Sequence, residues 1–171
     1  MPRDTPENYA AAQKLHALAR EYRGRFLNSV AAIEHDIAQL LTEYFCTSDP
    51  FKQEVFFERV ACRLSLEEKR NLLIEIVKND YPRYWEENAS DFLKDLQEVQ
   101  AFRNKLAHSI LDVSDEALAR PLEEGVGFIQ WKKGSPITQL EFDQWCVRTN
   151  MVFSTLKEIK MLLPFKERKS V

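Results

Sequence analysis

A long run of regularly spaced apolar residues near the N-terminus constrains the fold of this chain more than any other feature. Its members are Leu15, Leu18, Tyr22, Phe26, Val30, Ile33, Ile37, Leu40 and Tyr44. Steps of three and four residues place them on one face of a helix, and the phase is unchanged across Gly24. Thr5 followed by Pro6 is a helix start, because Thr is a good N-cap and Pro suits the first helical position. We therefore predict one long helix, with any bend at Gly24.

Similar start and stop residues divide much of the remaining chain. Asp49-Pro50 opens a second predicted helix, which reaches about Cys62. Capping boxes, in which Ser or Thr precedes Glu by three residues, open a third helix over about 65–78 and a last helix at Thr138. Pro164 ends the last helix, because Pro cannot continue it.

A fourth helix, predicted over about 91–110, carries an unusual polar cluster near its C-terminal end. Ser90 is a suitable N-cap for it. Its apolar residues are Phe92, Leu96, Val99, Leu106 and Ile110. Position 103 would complete an alternation of four-residue and three-residue steps, but it holds Arg. We therefore expect Arg103 on the packed face, which is costly unless its charge is paired or its head reaches water.

The segment from 111 to 137 has a different pattern. Val126–Trp131 is a short β-prone run between Gly125 and Gly134. It predicts a two-stranded hairpin or an extended insertion at about 112–137. Because the segment closely follows His108, it could form a wall or lid of a groove there. The alternative, which we favour, is a structural insertion that packs Trp131 on the helices.

These patterns predict an all-α fold, a bundle of about five helices with a small β insertion. The chain has 171 residues, 44% of them hydrophobic and only 4 of them Gly, which suits one helical domain with a substantial core. We expect a single domain over 1–171, with an ordered core at about 6–163 and a basic tail at 164–171.

Charge and targeting patterns exclude some classes of protein. The net charge of −3 argues against a protein that coats nucleic acid through a broadly basic surface, although a local positive site remains compatible. The sequence contains no apolar run long enough to span a bilayer and no signal-peptide core, so we expect a cytoplasmic protein that does not enter a membrane. Its three cysteines are expected to be free and mostly buried.

The polar cluster consists of Arg103, Asn104 and His108. On a helix, Asn104 and His108 lie about 40° apart, whereas Arg103 and His108 lie about 140° apart and would border one groove. Histidine can give and take protons near neutral pH, and Arg matches phosphate oxygens with a two-pronged fork. Such chemistry needs no metal or cofactor, and His16, His35 and His108 share no metal-ligand spacing. The structural alternatives are an ion pair or a solvent-reaching head for Arg103, and a charged His at a helix C-terminus.

This Arg-Asn-x-x-x-His motif on an amphipathic helix resembles that of HEPN domains, small all-α domains of which many are metal-independent ribonucleases. The likeness covers roughly residues 10–163 in architecture, because 32–41 is similar to the first core helix of that family and 142–163 to its closing helix. Only the six-residue motif is specific. The chain departs from some HEPN toxins at Ile110, where those toxins often carry a Tyr.

The resemblance implies an endoribonuclease in which His108 is the general acid or base and Arg103 holds the phosphate. Asn104 would orient the imidazole or a phosphate oxygen, and Lys105 and Glu34 are supporting residues. Glu34 could supply an acid near the groove, but a structural salt bridge to Arg103 is the reading we favour. The family resemblance also implies a homodimer with a composite active site and RNA as the substrate.

Three functions follow from these observations. The first is a HEPN-type ribonuclease, as a toxin with an antitoxin or regulatory protein as partner, or as a defence or stress effector. The second is a non-catalytic HEPN-like helical bundle that acts as a protein-interaction or regulatory module. The third, a helix-turn-helix DNA regulator, is weaker, because the net charge is negative and no exposed basic recognition helix stands out.

Overall fold

A computed structural model describes residues 5–46, 49–129 and 136–162 of the protein. The described elements, in chain order, are α1 (Pro6–Phe45), α2 (Pro50–Arg59), a 3-10 turn (Ala61–Arg63), α3 (Leu66–Asp80), α4 (Pro82–His108), β1 (Ile110–Leu111), α5 (Asp115–Leu118), a second 3-10 turn (Leu122–Glu124), β2 (Val126–Ile129), β3 (Pro136–Ile137) and α6 (Gln139–Leu162). The predicted fold class, all-α with a small β insertion, is confirmed. The five predicted helices correspond to α1, α2, α3, α4 and α6.

The chain forms two compact units. The first unit consists of Met1–Ser29 and Val99–Arg148, and the second consists of Val30–Glu98 and Thr149–Val171. Each of the three longest helices, α1, α4 and α6, contributes one end to each unit. The prediction of a single domain over 1–171 stays a prediction, and the basic tail lies outside the described residues.

The first unit is built around aromatic side chains. Tyr22 and Phe142 stack with ring centroids 4.1 Å apart, and the Tyr22 hydroxyl donates to Gln139 Oε1 at 2.9 Å. Further buried members of this core are Leu15, Phe26, Val99, Phe102, Leu106, Leu111, Val126, Phe128 and Ile137. The predicted apolar face of α1 thus does form the core side of that helix within this unit.

The second unit packs aliphatic residues of several helices. Its large, fully buried side chains include Ile33, Ile37, Leu41, Leu73, Leu96 and Leu156. The charged side chain of Lys69 is buried with them, since it is only 3% exposed, and its Nζ lies 2.8 Å from Glu34 Oε1. A buried cation of this kind requires a paired anion, which Glu34 provides.

The predicted starts of α2, α3 and α6 are confirmed by their hydrogen bonds. The Asp49 carboxylate accepts from the backbone N–H groups of the residues that open α2. Ser65 and Glu68 form a complete capping box at α3. Thr138 and Glu141 exchange the same pair of bonds at α6, at 3.2 and 2.9 Å. Each bond satisfies a backbone donor that a helix N-terminus would otherwise leave free.

The start of α4 differs from the prediction. The helix begins at Pro82, so Ser90 lies inside it and does not cap it. Pro at the first helical position explains the earlier start, because its fixed φ angle suits that position and its missing N–H is not needed there. The helix also ends at His108, so Ile110 belongs to β1 and is 75% exposed.

The β insertion is a three-stranded antiparallel sheet in the order β1-β2-β3, where a two-stranded hairpin or an extended insertion was expected. Ile110 pairs with Ile129, and Val126 pairs with Ile137. Trp131, predicted to pack on the helices, lies outside the described residues. Each helix within the residues that the structure describes is too short or too polar to cross a bilayer.

Candidate functional site

The buried face of α4 in the first unit is formed by Val99, Phe102 and Leu106, each at most 5% exposed. The expectation that Arg103 holds a place on this face is therefore wrong. Phe102 holds that place, because the steps from Leu96 to Val99, Phe102 and Leu106, which are three, three and four residues, follow a 3.6-residue period as well as a strict alternation does. Arg103 is half-buried and borders the packed face.

Two aromatic contacts fix the rotation of α4 about its axis. The Phe102 ring stacks on Trp145 with centroids 4.3 Å apart and an interplanar angle of 6°. It also meets Phe26 edge to face at 4.8 Å. Because residue 103 follows residue 102 by about 100° around the helix, these contacts also set the direction in which the Arg103 side chain projects from α4.

Arg103 is bonded to a neutral group. Its Nη1 donates to Asn104 Oδ1 at 3.0 Å. Among the described residues no carboxylate forms a salt bridge with Arg103, so none of them neutralises its positive charge at close range. The neighbouring Asn104 and Lys105 side chains are exposed. This arrangement holds a cation near the surface, where an anion could reach it.

His108 is the last residue of α4 and is exposed. The chain leaves the helix through Ser109, whose backbone N–H donates to the Lys105 carbonyl at 3.1 Å and whose hydroxyl donates to the same oxygen. Ser109 is 6% exposed, so the backbone next to the imidazole is anchored while the imidazole itself remains accessible.

Arg23 is a residue near the motif that the sequence reasoning missed. In the sequence, Arg20, Arg23 and Arg25 form a basic cluster of the kind that usually marks a solvated face, but Arg23 turns inward. Its Nη2 donates to the Ser109 carbonyl oxygen, and its guanidinium carbon lies 4.8 Å from the centroid of the Phe128 ring. Only its position directly after the core residue Tyr22 could have suggested this role.

Glu34 has a different partner from the one proposed for it. It does form a salt bridge, but with Lys69 of the second unit. Lys69 is the more deeply buried cation and therefore gains most from a carboxylate nearby. We accordingly assign Glu34 to the support of that buried Lys.

Other reactive groups of the first unit are poorly suited to chemistry near neutral pH. Burial raises the pKa of the Cys146 thiol, and the neighbouring Asp143 carboxylate raises it further, against the influence of Arg25. Burial is also the main cause of the raised pKa of Tyr22. Both groups stay protonated, so neither is a ready nucleophile or base. The motif of Arg103, Asn104 and His108 remains the best candidate site in this unit.

The cysteines and the metal-binding residue types give no second site. Cys46, Cys62 and Cys146 are free as expected, but they are not mostly buried, because Cys46 and Cys146 are half-buried and Cys62 is exposed. Over the described ranges, no group of three or more His, Cys, Asp or Glu side chains is placed to hold a metal ion.

No protein-family model, curated protein or solved structure matches this chain. A functional argument therefore depends on the residues of the motif and on the geometry just described.

Proposed function

We propose that this protein is a metal-independent endoribonuclease of the HEPN type. Arg103, Asn104 and His108 carry the proposal, and Lys105 adds a further exposed cation beside them. RNA is the substrate, and the reaction is attack of a ribose 2′-hydroxyl on the adjacent phosphodiester.

The observation that carries the proposal is the bond from Arg103 to the amide oxygen of Asn104, which lies one helical turn before the exposed His108. An Arg that served only as a structural ion pair would bind a carboxylate. Bonding to an amide leaves the positive charge free to attract a phosphate, while it restricts the rotation of the guanidinium. The accessible imidazole of His108, on the next turn of the same helix, supplies the group that moves protons.

The proposed reaction moves its protons between the RNA substrate and a single imidazole, that of His108. The ribose 2′-oxygen forms a bond to phosphorus and gives its proton to His108. The bond from phosphorus to the 5′-oxygen breaks, and that oxygen receives a proton from the protonated imidazole or from water. The guanidinium of Arg103 stabilises the negative charge that builds on the phosphate oxygens in between. The products are a 2′,3′-cyclic phosphate and a 5′-hydroxyl.

The likeness to HEPN domains adds two elements to the proposal. One is a homodimer in which two copies of the motif share a cleft. The other is a role as a toxin, or as a defence or stress effector, controlled by an antitoxin or other regulatory protein. Both depend on the resemblance carried by the motif.

RNA cleavage by the purified protein in the presence of EDTA tests the proposal. General acid–base catalysis is typically worth about 10²–10⁴-fold, so His108→Ala should lower the cleavage rate by at least about 100-fold. Arg103→Ala should lower it as well, by removing the charge that stabilises the transition state. An RNA with a single 2′-deoxy sugar at the cleaved position should resist cleavage there.

His16→Ala is the matched control, because His16 is also an exposed helical histidine but lies outside the motif. It should cleave like the parent protein. Equal activity of the parent protein and His108→Ala would reject the proposal. So would cleavage of the deoxy-substituted RNA, at the substituted position, at the same rate as the unmodified RNA. A parent with no activity on any RNA would favour the non-catalytic interaction module.

A further inference from the structure

A groove in the first unit lies between the first two turns of α1 and the segment that carries α5. Its volume is about 470 Å³, which is the size of a site that holds a small organic molecule. The motif residues Arg103, Asn104 and His108 do not line it. The groove is therefore a separate feature of this unit.

Hydrogen bonds at the helix starts hold both walls of the groove in place. Thr5 caps α1, because its hydroxyl oxygen accepts from the Asn8 N–H at 3.2 Å and its carbonyl oxygen accepts from the Tyr9 N–H at 3.0 Å. On the other wall, the Ser114 hydroxyl oxygen accepts from the Ala117 N–H at 3.3 Å and caps α5. A ligand would thus meet a preformed site and lose little free energy in ordering it.

Most of the groove lining is apolar. Pro6 and Ala12 line it from α1, and Val113 and Leu118 line it from the opposite wall. Tyr9 adds an aromatic ring that is 69% exposed, and Val113 is 45% exposed. These side chains would lose apolar surface to a flat hydrocarbon or aromatic body that entered the groove, and that burial is favourable.

Three polar side-chain groups of the lining have no protein partner. They are the Asn8 amide, the Tyr9 hydroxyl and the Asp115 carboxylate, none of which forms a hydrogen bond or salt bridge with another described residue. Of the described residues that line the groove, Asp115 alone is charged. A few polar groups on apolar walls are what orients a small ligand in its site.

The balance of charge favours a cationic ligand over an anionic one. The N-terminus of α1 contributes roughly half a positive charge. Against it stand the full negative charges of Asp115 and of Glu7 in the first turn of α1, and neither pairs with a described cation. The local charge is therefore negative, which repels phosphate and attracts an ammonium group. The Tyr9 ring favours the same choice, because a cation is attracted to the face of an aromatic ring.

We propose that this groove binds a small organic amine. Its ammonium group pairs with Asp115, and its flat apolar body packs against Tyr9 and Val113. The Asn8 amide and the Tyr9 hydroxyl are placed to orient it through hydrogen bonds. The site does not depend on the proposed nuclease activity, so either proposal can fail while the other stands.

Calorimetric titration with tryptamine, a primary ammonium on an indole body, tests the proposal. A probe of this size should bind with a dissociation constant of about 1 mM. Indole-3-ethanol has the same body without a charge and should bind about two- to fivefold more weakly, because it lacks the ion pair. Indole-3-acetate should bind more weakly still, because its carboxylate repels Asp115.

Amide chemical shifts identify where the probe binds. Tryptamine should shift the backbone amide signals of residues 5–12 and 113–118. The signals of residues 103–108, in the motif helix, should stay in place.

Two variants and a matched control test the roles of charge and shape. Asp115→Asn should remove the preference for tryptamine over indole-3-ethanol. Glu123→Gln should keep it, because Glu123 is an exposed acid of the same unit that does not line the groove. Ala12→Phe should abolish binding of all three probes by filling the groove. Circular dichroism and thermal melting confirm that each variant is folded.

Several results would overturn the proposal. One is the absence of measurable tryptamine binding at about 10 mM, a concentration well above the expected dissociation constant. Others are equal binding of the three probes, or shifts that miss both segments of the groove. An Ala12→Phe variant that binds tryptamine like the parent, or an Asp115→Asn variant that keeps the parent's preference, would overturn it as well.

Discussion

The guanidinium of Arg23 donates a hydrogen bond to the carbonyl oxygen of Ser109, the residue that follows His108. This bond joins the N-terminal part of α1 to the end of the motif helix within the first unit. A helix C-terminus leaves carbonyl oxygens without partners, and a cation at that end also stabilises the helix dipole. Arg23 therefore fixes the backbone from which the His108 side chain projects.

Replacing Arg23 with Met should lower the free energy of unfolding by about 1–3 kcal/mol, because the bond involves a charged donor and is partly buried. Urea titration measures this loss. Hydrogen exchange should also accelerate at the backbone amides of 105–111, where the bond anchors the chain. Arg20→Met is the control, since Arg20 lies on the same helix but is exposed. Unchanged exchange in 105–111 would contradict this anchoring role.

Phe102 and Arg103 should respond very differently to truncation. Phe102→Ala removes a buried ring that contacts Phe26 and Trp145, and such changes typically cost about 3–5 kcal/mol. Arg103→Ala should change the free energy of unfolding by less than about 0.5 kcal/mol, as is usual for residues outside the core. Thermal and urea unfolding of the two variants check this. A larger loss for Arg103→Ala would place Arg103 in the core after all.

Replacement by Ala should change the stability of the protein in opposite directions at Gly24, which lies in α1, and at Gly125, which lies in a loop. Nothing lies within 4 Å of a Cβ added at Gly24, so Gly24→Ala should stabilise the long helix by about 0.5–1 kcal/mol. Gly125 has a φ of +95°, and an added Cβ would lie 2.1 Å from the Ile137 carbonyl oxygen. Gly125→Ala should therefore destabilise the protein, by about 1–3 kcal/mol for the backbone conformation alone. Differential scanning calorimetry should show melting temperatures on opposite sides of the parent value.

The capping box of α3 makes stability depend on pH in a defined direction. Hydrogen bonds from the Ser65 hydroxyl and then from its backbone N–H lower the pKa of Glu68 from the ordinary value of 4.5. A carboxylate with a lowered pKa in the folded state stabilises the protein fully above its unfolded pKa. That contribution is lost as the pH falls through the lower folded pKa.

The parent should therefore be more stable than Glu68→Gln at pH 7, and the difference should shrink at pH values below 4.5. Urea titrations of both proteins across this range measure the difference. Glu67→Gln is the control, because Glu67 is adjacent but does not take part in the box. A difference between the parent and Glu68→Gln that stays constant with pH would contradict the assignment.

Local patterns predicted much of the fold. The apolar period of α1, the capping residues before α2, α3 and α6 and the β-prone run at Val126 all mark real elements. Each element depends on backbone hydrogen bonds and on side chains a few residues apart, and such local interactions can be inferred from the order of residues. The start of α4 was misplaced because Ser90 and Pro82 are both acceptable start residues, and sequence alone does not rank them.

The sequence by itself determined the composition of the candidate site, since Arg103, Asn104 and His108 occupy one helix whose last turn is fixed by local geometry. Only the tertiary structure decided which residue enters the core beside them. The rings of Phe26 and Trp145, distant in sequence, select Phe102 and leave Arg103 at the border with Asn104 as its partner. The same holds for the inward turn of Arg23 and for the pairing of Glu34 with Lys69. Such choices depend on contacts between segments far apart in the chain, and no local period or spacing encodes them.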